Sequence, residues 1–443
     1  MSAPMTNGED VLSLTEQLIA IESHADAPGR EAEIGRFLVG WFRDRGIDAE
    51  LQPVDGDRSN VIARVSGGDG PSLLLNGHLD TVPAGEMPDA FASRIEDGVL
   101  WGRGACDMKG AIAAMCCAMA AIAGDEASLR PNDSGPVDAT LHRGKALGRS
   151  FAPLGDREAK LRPVGDAEGV RRGNREASLR LSGDLIFAGT VDEESGSLGV
   201  KALIDSGFTA DYAVVGEPTS LRVAVAHKGS CFVKVTLTGR GAHGSCPEQG
   251  VNAASYAARI VLAIEDGLRP KLAARAHPLL GASTVSVGRI CGGTQPNIVA
   301  ERCEVEVDRR YLPGEGSPVP EIREIVASIC GGVEALRYDV VEMPMTSRVP
   351  HVPLDTSPES RIALAAAAAC AEAGLPTEPI GVTYWSDGGH LAANGIETIV
   401  LGPGDIADAH GPRDRVAIDE LAAAVDLYRV LVLRLLSGRK EQI

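Results

Sequence analysis

The sequence predicts an α/β fold, in which a mostly parallel sheet carries helices on both faces, with an α+β unit inserted into it. Continuous apolar runs such as Leu185–Val191 and Tyr212–Val215 are typical of strands buried on both faces. Segments with helical spacing of apolar residues alternate with these runs. Between residues 223 and 345, apolar and polar side chains instead alternate as in half-exposed strands. We therefore predict a domain in two parts, 1–222 and 346–443, and an inserted domain at 223–345.

The predicted elements follow one another along the chain as strands and helices. Helical spacing is found at residues 10–23, at 29–46 with Gly46 as a stop, in the alanine-rich segment that Asp107 can cap, and in a segment ending at Ala373. Further strand-like runs of the two-part domain are Val61–Val65, Ser72–Leu75 and Thr398–Leu401. In the inserted domain we predict strands at Val223–Ala226, Cys231–Thr238, Ser283–Ile290 and Cys303–Tyr311, and helices at 250–266 and 318–331.

Residues 125–180 fit neither domain. They contain 11 basic and 9 acidic residues and show little periodicity. The pentapeptide EASLR occurs at 126–130 and again at 176–180, which indicates a duplication around an inserted sequence. Because an ordered loop of this length without secondary structure is uncommon, we expect disorder, with a lid or a partner-binding arm as the alternative.

Length and composition exclude several classes of protein. The 443 residues are more than one ordinary domain holds, and the net charge of −18 argues against nucleic acid as a partner. No apolar run reaches the roughly 18 residues that a membrane span needs. The first residues lack the basic stretch of a secretory signal, and nine cysteines without framework spacing favour reduced thiols. We therefore expect a cytoplasmic protein that does not bind membranes.

Residues that can bind metals or move protons follow several predicted strands. His78 follows Ser72–Leu75, and Glu193 with Glu194 follows Leu185–Val191. The other candidates are Asp107 among glycines before a helix, Glu217 after Tyr212–Val215, and His410 beyond Thr398–Leu401. Taken alone, each candidate has a structural explanation that needs no metal. His78 could lie in a solvated loop, and Asp107 could cap a helix.

The candidates become informative as a set. Because the carboxyl ends of parallel strands meet at one edge of a sheet, we expect them to converge there. Two histidines and three carboxylates, one of them shared, suit a pair of zinc-like ions. Adjacent carboxylates such as Glu193 and Glu194 are costly unless cations hold them, so one can bind metal while the other handles a proton.

Six motifs occur in a fixed order: NGHLDTVP, GRGACDMKG, DEESGS, VGEPT, GRGAHGS and GGTQPN. With this ordered set the chain resembles the dinuclear zinc amidohydrolase and peptidase family of aminoacylase, acetylornithine deacetylase, succinyl-diaminopimelate desuccinylase and carboxypeptidase G. The resemblance covers essentially everything except residues 125–180. It implies that the two-part domain is catalytic and that the inserted one is a ferredoxin-like lid or dimerisation domain.

The resemblance also implies a cofactor of two divalent metal ions, zinc first, with cobalt or manganese as alternatives. His78 and Glu217 would bind one ion. Glu194 and His410 would bind the other. Asp107, which a cis peptide bond follows in the family, would bridge both.

Two further carboxylates take catalytic roles by the same resemblance. Asp80 would orient His78. Glu193 would be the general base that takes a proton from metal-bound water. The resulting hydroxide would attack the amide carbonyl, and Glu193 would pass the proton to the leaving amine.

The motifs of the inserted domain imply a homodimer formed through that domain. His243 in GAHGS would reach the active site of the neighbouring subunit and stabilise the developing oxyanion. Asn297 in TQPN and Arg310 in DRRY would hold the substrate, Arg310 by a forked contact to its carboxylate. The alternative for Arg310 is a salt bridge on the strand surface.

Glu217 sharpens the expected substrate. Aminopeptidases and carboxypeptidases of the family tend to have Asp at this position, whereas aminoacylases, deacetylases and desuccinylases have Glu. We therefore expect a metal-dependent amidohydrolase that cleaves the linear amide of an N-acyl amino acid. A dipeptidase or carboxypeptidase is the alternative enzyme. A non-catalytic amino-acid-binding protein would have a broken ligand set, whereas this set is complete.

Overall fold

Two sheets of unequal size dominate the fold. The computed structural model describes residues 7–127, 180–343 and 350–437. The predicted disorder of residues 125–180 therefore falls, from 128 to 179, outside the described residues.

The strands of the described residues, in chain order, are β1 (Asp48–Asp55), β2 (Arg58–Val65), β3 (Leu73–His78), β4 (Arg94–Glu96), β5 (Val99–Trp101), β6 (Leu185–Thr190), β7 (Tyr212–Val215), β8 (Ala224–His227), β9 (Gly229–Thr238), β10 (Ala276–His277), β11 (Gly281–Ala282), β12 (Thr284–Gly292), β13 (Arg302–Tyr311), β14 (Arg337–Glu342), β15 (Leu354–Asp355), β16 (Ile380–Val382), β17 (Glu397–Val400) and β18 (Arg415–Ala417). The α-helices are α1 (Asn7–Ile19), α2 (Ala32–Arg43), α3 (Gly110–Ala127), α4 (Leu198–Asp205), α5 (Ala253–Leu262), α6 (Arg269–Ala273), α7 (Val319–Cys330), α8 (Arg361–Glu372), α9 (Gly388–Ala393) and α10 (Ile418–Leu436).

The larger sheet is parallel at its centre and antiparallel towards its edges. Its order is β1-β2-β6-β3-β7-β17-β8-β15, with β16 beside β8. The strands β6, β3, β7 and β17 run parallel to one another, whereas β1–β2, β2–β6 and β17–β8 are antiparallel pairs. The predicted parallel pattern therefore holds for the central strands.

Helices cover both faces of this sheet. Leu73 and Leu75 of β3 join a core that contains residues of α1, α2, α3, α8 and α10, whereas Leu74 joins the core on the opposite face with residues of α4 and α9. This two-sided burial explains why the central strands are continuous apolar runs. The predicted α/β class with helices on both faces is confirmed.

The smaller sheet has the order β12-β13-β9-β14 and is antiparallel throughout. One face packs on α5 and α7 through a separate core. The chain order β9–α5–β12–β13–α7–β14 is that of a ferredoxin-like unit, as predicted. The run Val223–Ala226, which the sequence places in this unit, instead contributes β8 to the larger sheet. The domain limits at 222/223 and 345/346 stay a prediction.

One predicted helix start is wrong. Asp107 does not cap α3, which begins at Gly110. Asp107 lies instead in an irregular turn before α3, with a non-helical φ of −126° and ψ of 98°. The carboxylate is therefore free to point away from the helix axis, towards the histidines described below.

One helical stretch of the described residues, Ala105–Asp125, has the length and apolarity of a membrane span. Within the fold 89% of this apolar stretch is buried, because α3 packs between α1, α10 and the larger sheet. Its apolar composition is accounted for by this central position.

Candidate metal centre

His78 is the last residue of β3 and is buried at the carboxyl edge of the larger sheet. Its ring N–H at Nδ1 donates to the main-chain oxygen of Asp80 at 2.9 Å, which leaves Nε2 facing Asp107 Oδ1 at 2.8 Å and Glu217 Oε1 at 3.6 Å. The sequence expects the carboxylate of Asp80 to orient His78. That carboxylate lies 3.6 Å from Nδ1 and instead accepts the N–H groups of Glu193 and Glu194.

Asp107 comes from outside the larger sheet, because it follows β5 of a three-stranded sheet formed by β18, β5 and β4. The turn before it is held by Asp414, whose two oxygens accept the N–H groups of Gly104 (2.7 Å) and Cys106 (2.9 Å). The peptide bond from Asp107 to Met108 is cis, as the family resemblance implies. The expectation that every ligand follows a strand of one sheet is therefore wrong for Asp107.

The two oxygens of Asp107 face the two histidines. Oδ1 contacts His78, and Oδ2 lies 3.0 Å from His410 Nε2. The same Nε2 lies 3.0 Å from Glu194 Oε1. This is the arrangement of a carboxylate shared between two sites.

Glu193, Glu194 and Glu217 complete the cluster from the ends of β6 and β7. Ligand atoms of His78, Glu193 and Glu217 lie within 4.8 Å of one another, and so do those of His78, Asp107 and Glu194. All five ligands predicted from the sequence thus meet at one edge of the larger sheet, together with the predicted base Glu193.

Burial and mutual repulsion disturb the protonation of these carboxylates. Burial, together with neighbouring negative charge, raises the pKa of Glu193 and of Glu217 well above the usual value. Burial and the charge of Asp107 raise the pKa of Glu194. Burial also opposes ionisation of Asp107, but hydrogen bonds from His410 and His78 hold its pKa well below its ordinary value.

The pKa values of the two histidines are raised as well. Hydrogen bonds to Asp107 and Glu194 raise the pKa of His410 to about 10. Burial disfavours the charged form of His78, yet the charge of Glu217 and the hydrogen bond to Asp107 raise its pKa well above the usual value.

This donor set fits divalent metal ions. Because Nδ1 of His78 already donates to a carbonyl, the contact between Nε2 and Asp107 needs a cation between them, either a proton or a metal ion. In the part of the chain that the structure describes, no lysine or arginine pairs with Asp107, Glu193, Glu194 or Glu217. Buried carboxylates without a basic partner are expensive unless a metal compensates their charge.

The three predicted residues of the inserted unit have their described hydrogen bonds within that unit. His243 is exposed, and its Nδ1 lies 2.7 Å from Ser245 Oγ. Asn297 is also exposed and accepts the N–H of Gly244 with its main-chain oxygen at 2.7 Å. Arg310 Nε donates to Asp308 Oδ1 at 3.0 Å, which is the strand-surface salt bridge considered as its alternative.

Asp387 is a further buried carboxylate beside the cluster. Its Oδ2 accepts the hydroxyl of Thr190 at 2.8 Å, whereas Oδ1 has no hydrogen-bond partner among the described residues. Burial raises the pKa of Asp387 to about 7. The sequence indicates Asp387 as a further carboxylate near the proposed ions, although Asp387 precedes a short helix rather than ending a buried strand.

Two family models match the chain. Residues 74–131 match Peptidase family M20/M25/M40, and residues 225–331 match the Peptidase dimerisation domain. The chain is 27% identical over 429 residues to an acetylornithine deacetylase of Myxococcus xanthus, with 94% of this chain and 91% of that protein aligned.

Solved structures share the fold over almost the whole chain. The aminopeptidase PepT of Bacillus cereus has a TM-score of 0.71 at 21% identity, covering 97% of this chain and 98% of that one. A dinuclear metal binding peptidase of the M20 family from Bacillus subtilis has a TM-score of 0.65 at 14% identity, with coverage of 98% and 99%.

The fold and the clustered side chains define an α/β protein with a candidate metal centre. The matches show similarity to hydrolases of the M20 peptidase family, and they confirm the predicted family resemblance and the predicted presence of an inserted dimerisation domain.

Proposed function

We propose that the protein hydrolyses the amide bond of an N-acyl amino acid and releases a small carboxylic acid and a free amino acid. The observation that carries the proposal is Asp107 placed between His78 and His410, with three glutamates around them. The similarity to an acetylornithine deacetylase supports N-acyl amino acids as the substrate class. Glu217 supports the same class, by the family preference for Glu at this position in aminoacylases, deacetylases and desuccinylases.

Two divalent ions would be held by the clustered residues. His78 and Glu217 would hold one ion. Glu194 and His410 would hold the second, with Asp107 shared between the two. Zinc suits these nitrogen and oxygen donors, and cobalt or manganese share them. When bound, the ions would supply Lewis-acid activation of water and of the amide carbonyl.

The side chains of the protein would then position the substrate and move the proton. Glu193 would accept the proton of the attacking water on its carboxylate and deliver it to the leaving amine. Asp80 would keep Glu193 and Glu194 in place through their N–H groups. Arg310 would exchange its pairing with Asp308 for the substrate carboxylate, and Asn297 would help to hold the substrate.

A homodimer would complete the site. The edge strand β12 and the adjoining helix α5 leave large apolar side chains exposed, among them Ile290 (52%) and Leu262 (58%). Pairing of two copies along this edge would cover them. His243, which is exposed on the inserted unit, would then act on the cluster of the partner. A cytoplasmic location, suggested by the composition, remains part of the proposal.

The test is a hydrolysis panel with the full chain reconstituted with Zn²⁺, Co²⁺ or Mn²⁺. It contains acetyl, succinyl and formyl amino acids together with dipeptides, and the products are identified by mass spectrometry. We expect an acyl acid and an amino acid from at least one N-acyl substrate. Release of two amino acids from dipeptides alone would identify a peptidase instead, and full activity in the metal-free protein would refute the mechanism.

A further inference from the structure

A buried triad of charges lies behind the loop that carries Glu193 and Glu194. Arg58 donates from Nε to Glu31 Oε2 at 2.7 Å and from Nη2 to Glu31 Oε1 at 2.6 Å. The same Nη2 donates to Asp192 Oδ1 at 2.5 Å. Arg58, Glu31 and Asp192 are 8%, 1% and 5% exposed. Because the guanidinium fork fixes both distance and angle, the three groups determine one another's positions.

Asp192 has an unusual backbone conformation. Its φ of 69° lies in the left-handed region, which residues other than glycine rarely adopt. Its N–H donates to Glu31 Oε1 at 3.2 Å, and its carbonyl accepts the N–H of Gly196 at 2.7 Å. Arg58 therefore contacts the side chain of Asp192, and Glu31 contacts its main chain. Asp192 is the residue at which the chain turns from β6 towards the cluster.

The turn is held from its other side by Asp80, which accepts the N–H groups of Glu193 (3.1 Å) and Glu194 (3.0 Å). These two residues follow Asp192 directly. A buried ion triad is weak evidence for a contribution to stability, because desolvation offsets much of the attraction. Because the triad lies at the turn that leads to Glu193 and Glu194, it can instead fix the position of these two residues.

We propose that Arg58 and Glu31 are positioning residues that, through Asp192, fix the left-handed turn and so direct Glu193 and Glu194 into the metal centre. The inference rests on the proposed function, in which Glu193 is the general base and Glu194 a ligand. It predicts that disturbing the triad lowers kcat and weakens one of the two metal sites, while KM changes little.

Three variants at position 192 separate the charge from the backbone conformation. Asp192→Asn keeps an oxygen for Arg58 and tolerates the left-handed region. Asp192→Gly adopts that region freely but loses the carboxylate, and Asp192→Ala loses both. We expect kcat within about threefold of wild type for Asn and a fall of at least about tenfold for Gly and Ala, with KM within about twofold throughout. Wild-type kcat in Asp192→Gly would overturn the proposal.

The arginine is tested against a matched control in the hydrophobic core. Arg58→Met is compared with Leu435→Ala, which truncates a buried side chain of α10. Titration with Co²⁺, followed by its visible absorption, measures the metal sites without reference to activity. We expect Arg58→Met to weaken one of two bound ions by about tenfold or more, whereas Leu435→Ala leaves both affinities unchanged. Equal losses in the two folded variants would show a merely structural role and overturn the inference.

Wild type and Glu193→Gln are assayed alongside these variants. An active wild type, an inactive Glu193→Gln and triad variants that keep wild-type kcat and Co²⁺ affinity would refute only this inference. If wild type cleaves no N-acyl amino acid, the proposed function fails. The Co²⁺ titration then still decides whether the triad positions Glu194.

Discussion

Glu193 has the placement that its proposed role as general base requires. It is buried, its main chain is fixed by Asp80, and its carboxylate lies within 4.8 Å of ligand atoms of His78 and Glu217. Glu194 instead contacts His410. Two adjacent glutamates thus face different partners because the loop after β6 turns between them.

Replacement of Glu193 tests this division of roles. We expect Glu193→Gln to lower kcat by about 10²–10⁴-fold while the protein still binds two metal ions, because the amide cannot accept a proton. Metal content by mass spectrometry and steady-state kinetics check both parts. The exposed Glu33→Gln is the control and should match wild type. A fully active Glu193→Gln would remove the assignment.

Single residues also show the limit of prediction from sequence. The spacing of His78 and Asp80 predicts that the two interact, which they do, but through the main-chain oxygen of Asp80. The carboxylate of Asp80 instead accepts the N–H of Glu193, which lies 113 residues further along the chain. Such a contact depends on how β3 and β6 lie side by side, and this pairing leaves no mark in local sequence.

At the scale of elements, the ends of β3, β6 and β7 explain why most of the proposed ligands are predictable from the sequence. Buried parallel strands have a strong apolar signature, and the polar residues at their ends stand out against it. Asp107 and the Arg58–Glu31 pair lack this signature. Asp107 follows a three-residue strand of another sheet, and Glu31 is 27 residues from Arg58. Asp107 was predictable from its glycine-rich motif instead, whereas the Arg58–Glu31 pair becomes meaningful only when the tertiary fold brings the two residues together.

The exposed edge strand β12 leads to a prediction about assembly. Ile290→Asp should convert the proposed dimer into monomers, because it places a charge in the apolar contact. If His243 acts on the partner's cluster, kcat should fall by about 10²-fold or more with the loss of one oxyanion donor. Sedimentation velocity and kinetics are the measurements. Ile95→Asp, on exposed β4, is the control, and a monomer with full activity would contradict the role of His243.

Three buried histidines lie where the two sheets join. His227 ends β8, His351 precedes β15 and stacks on Trp385 with 3.6 Å between ring centroids, and His390 lies in α9. Among the described residues, the Nε2 atom of each has no hydrogen-bond partner. Burial lowers the pKa of His227 and of His390 to about 4, and burial with the charge of His390 lowers that of His351 to about 3.

This histidine cluster predicts a loss of stability in acid. Between pH 6.5 and about 4 these histidines bind protons in the unfolded chain but stay neutral in the folded protein. The free energy of unfolding therefore falls as the pH falls. Each histidine should contribute about 2 kcal/mol of this loss at pH 5. Denaturant unfolding at pH 7 and pH 5 should therefore show a smaller difference for His227→Gln than for wild type. Equal differences would contradict the neutral, buried state of His227.

For the whole molecule, part of the acidic composition is concentrated in one cluster of carboxylates. The net charge of −18 alone only argued against nucleic acid. The structure gathers Asp80, Asp107, Glu193, Glu194 and Glu217 around two histidines at one edge of the larger sheet. Fold class and cluster followed from the order of strands and motifs along the chain, whereas the total charge carried no information about the site.

Metal removal should destabilise the whole fold. Two ions, each at about 100 times its dissociation constant, would stabilise the folded state by about 5 kcal/mol, so chelation should lower Tm by roughly 5 °C. Differential scanning calorimetry with and without EDTA measures the shift. Glu194→Ala should show a smaller response, since it lacks one proposed ligand. An unchanged Tm for wild type would show that no metal contributes to the fold.

The most direct test of the two-metal hydrolase is a titration of activity with metal. Metal-free protein receives increasing equivalents of Zn²⁺ or Co²⁺, and hydrolysis of its best N-acyl amino acid is measured at each step. We predict no activity without metal and a rise that ends at about two equivalents per chain. Full activity in the metal-free protein would contradict the account, and so would a rise in activity that does not end at about two equivalents per chain.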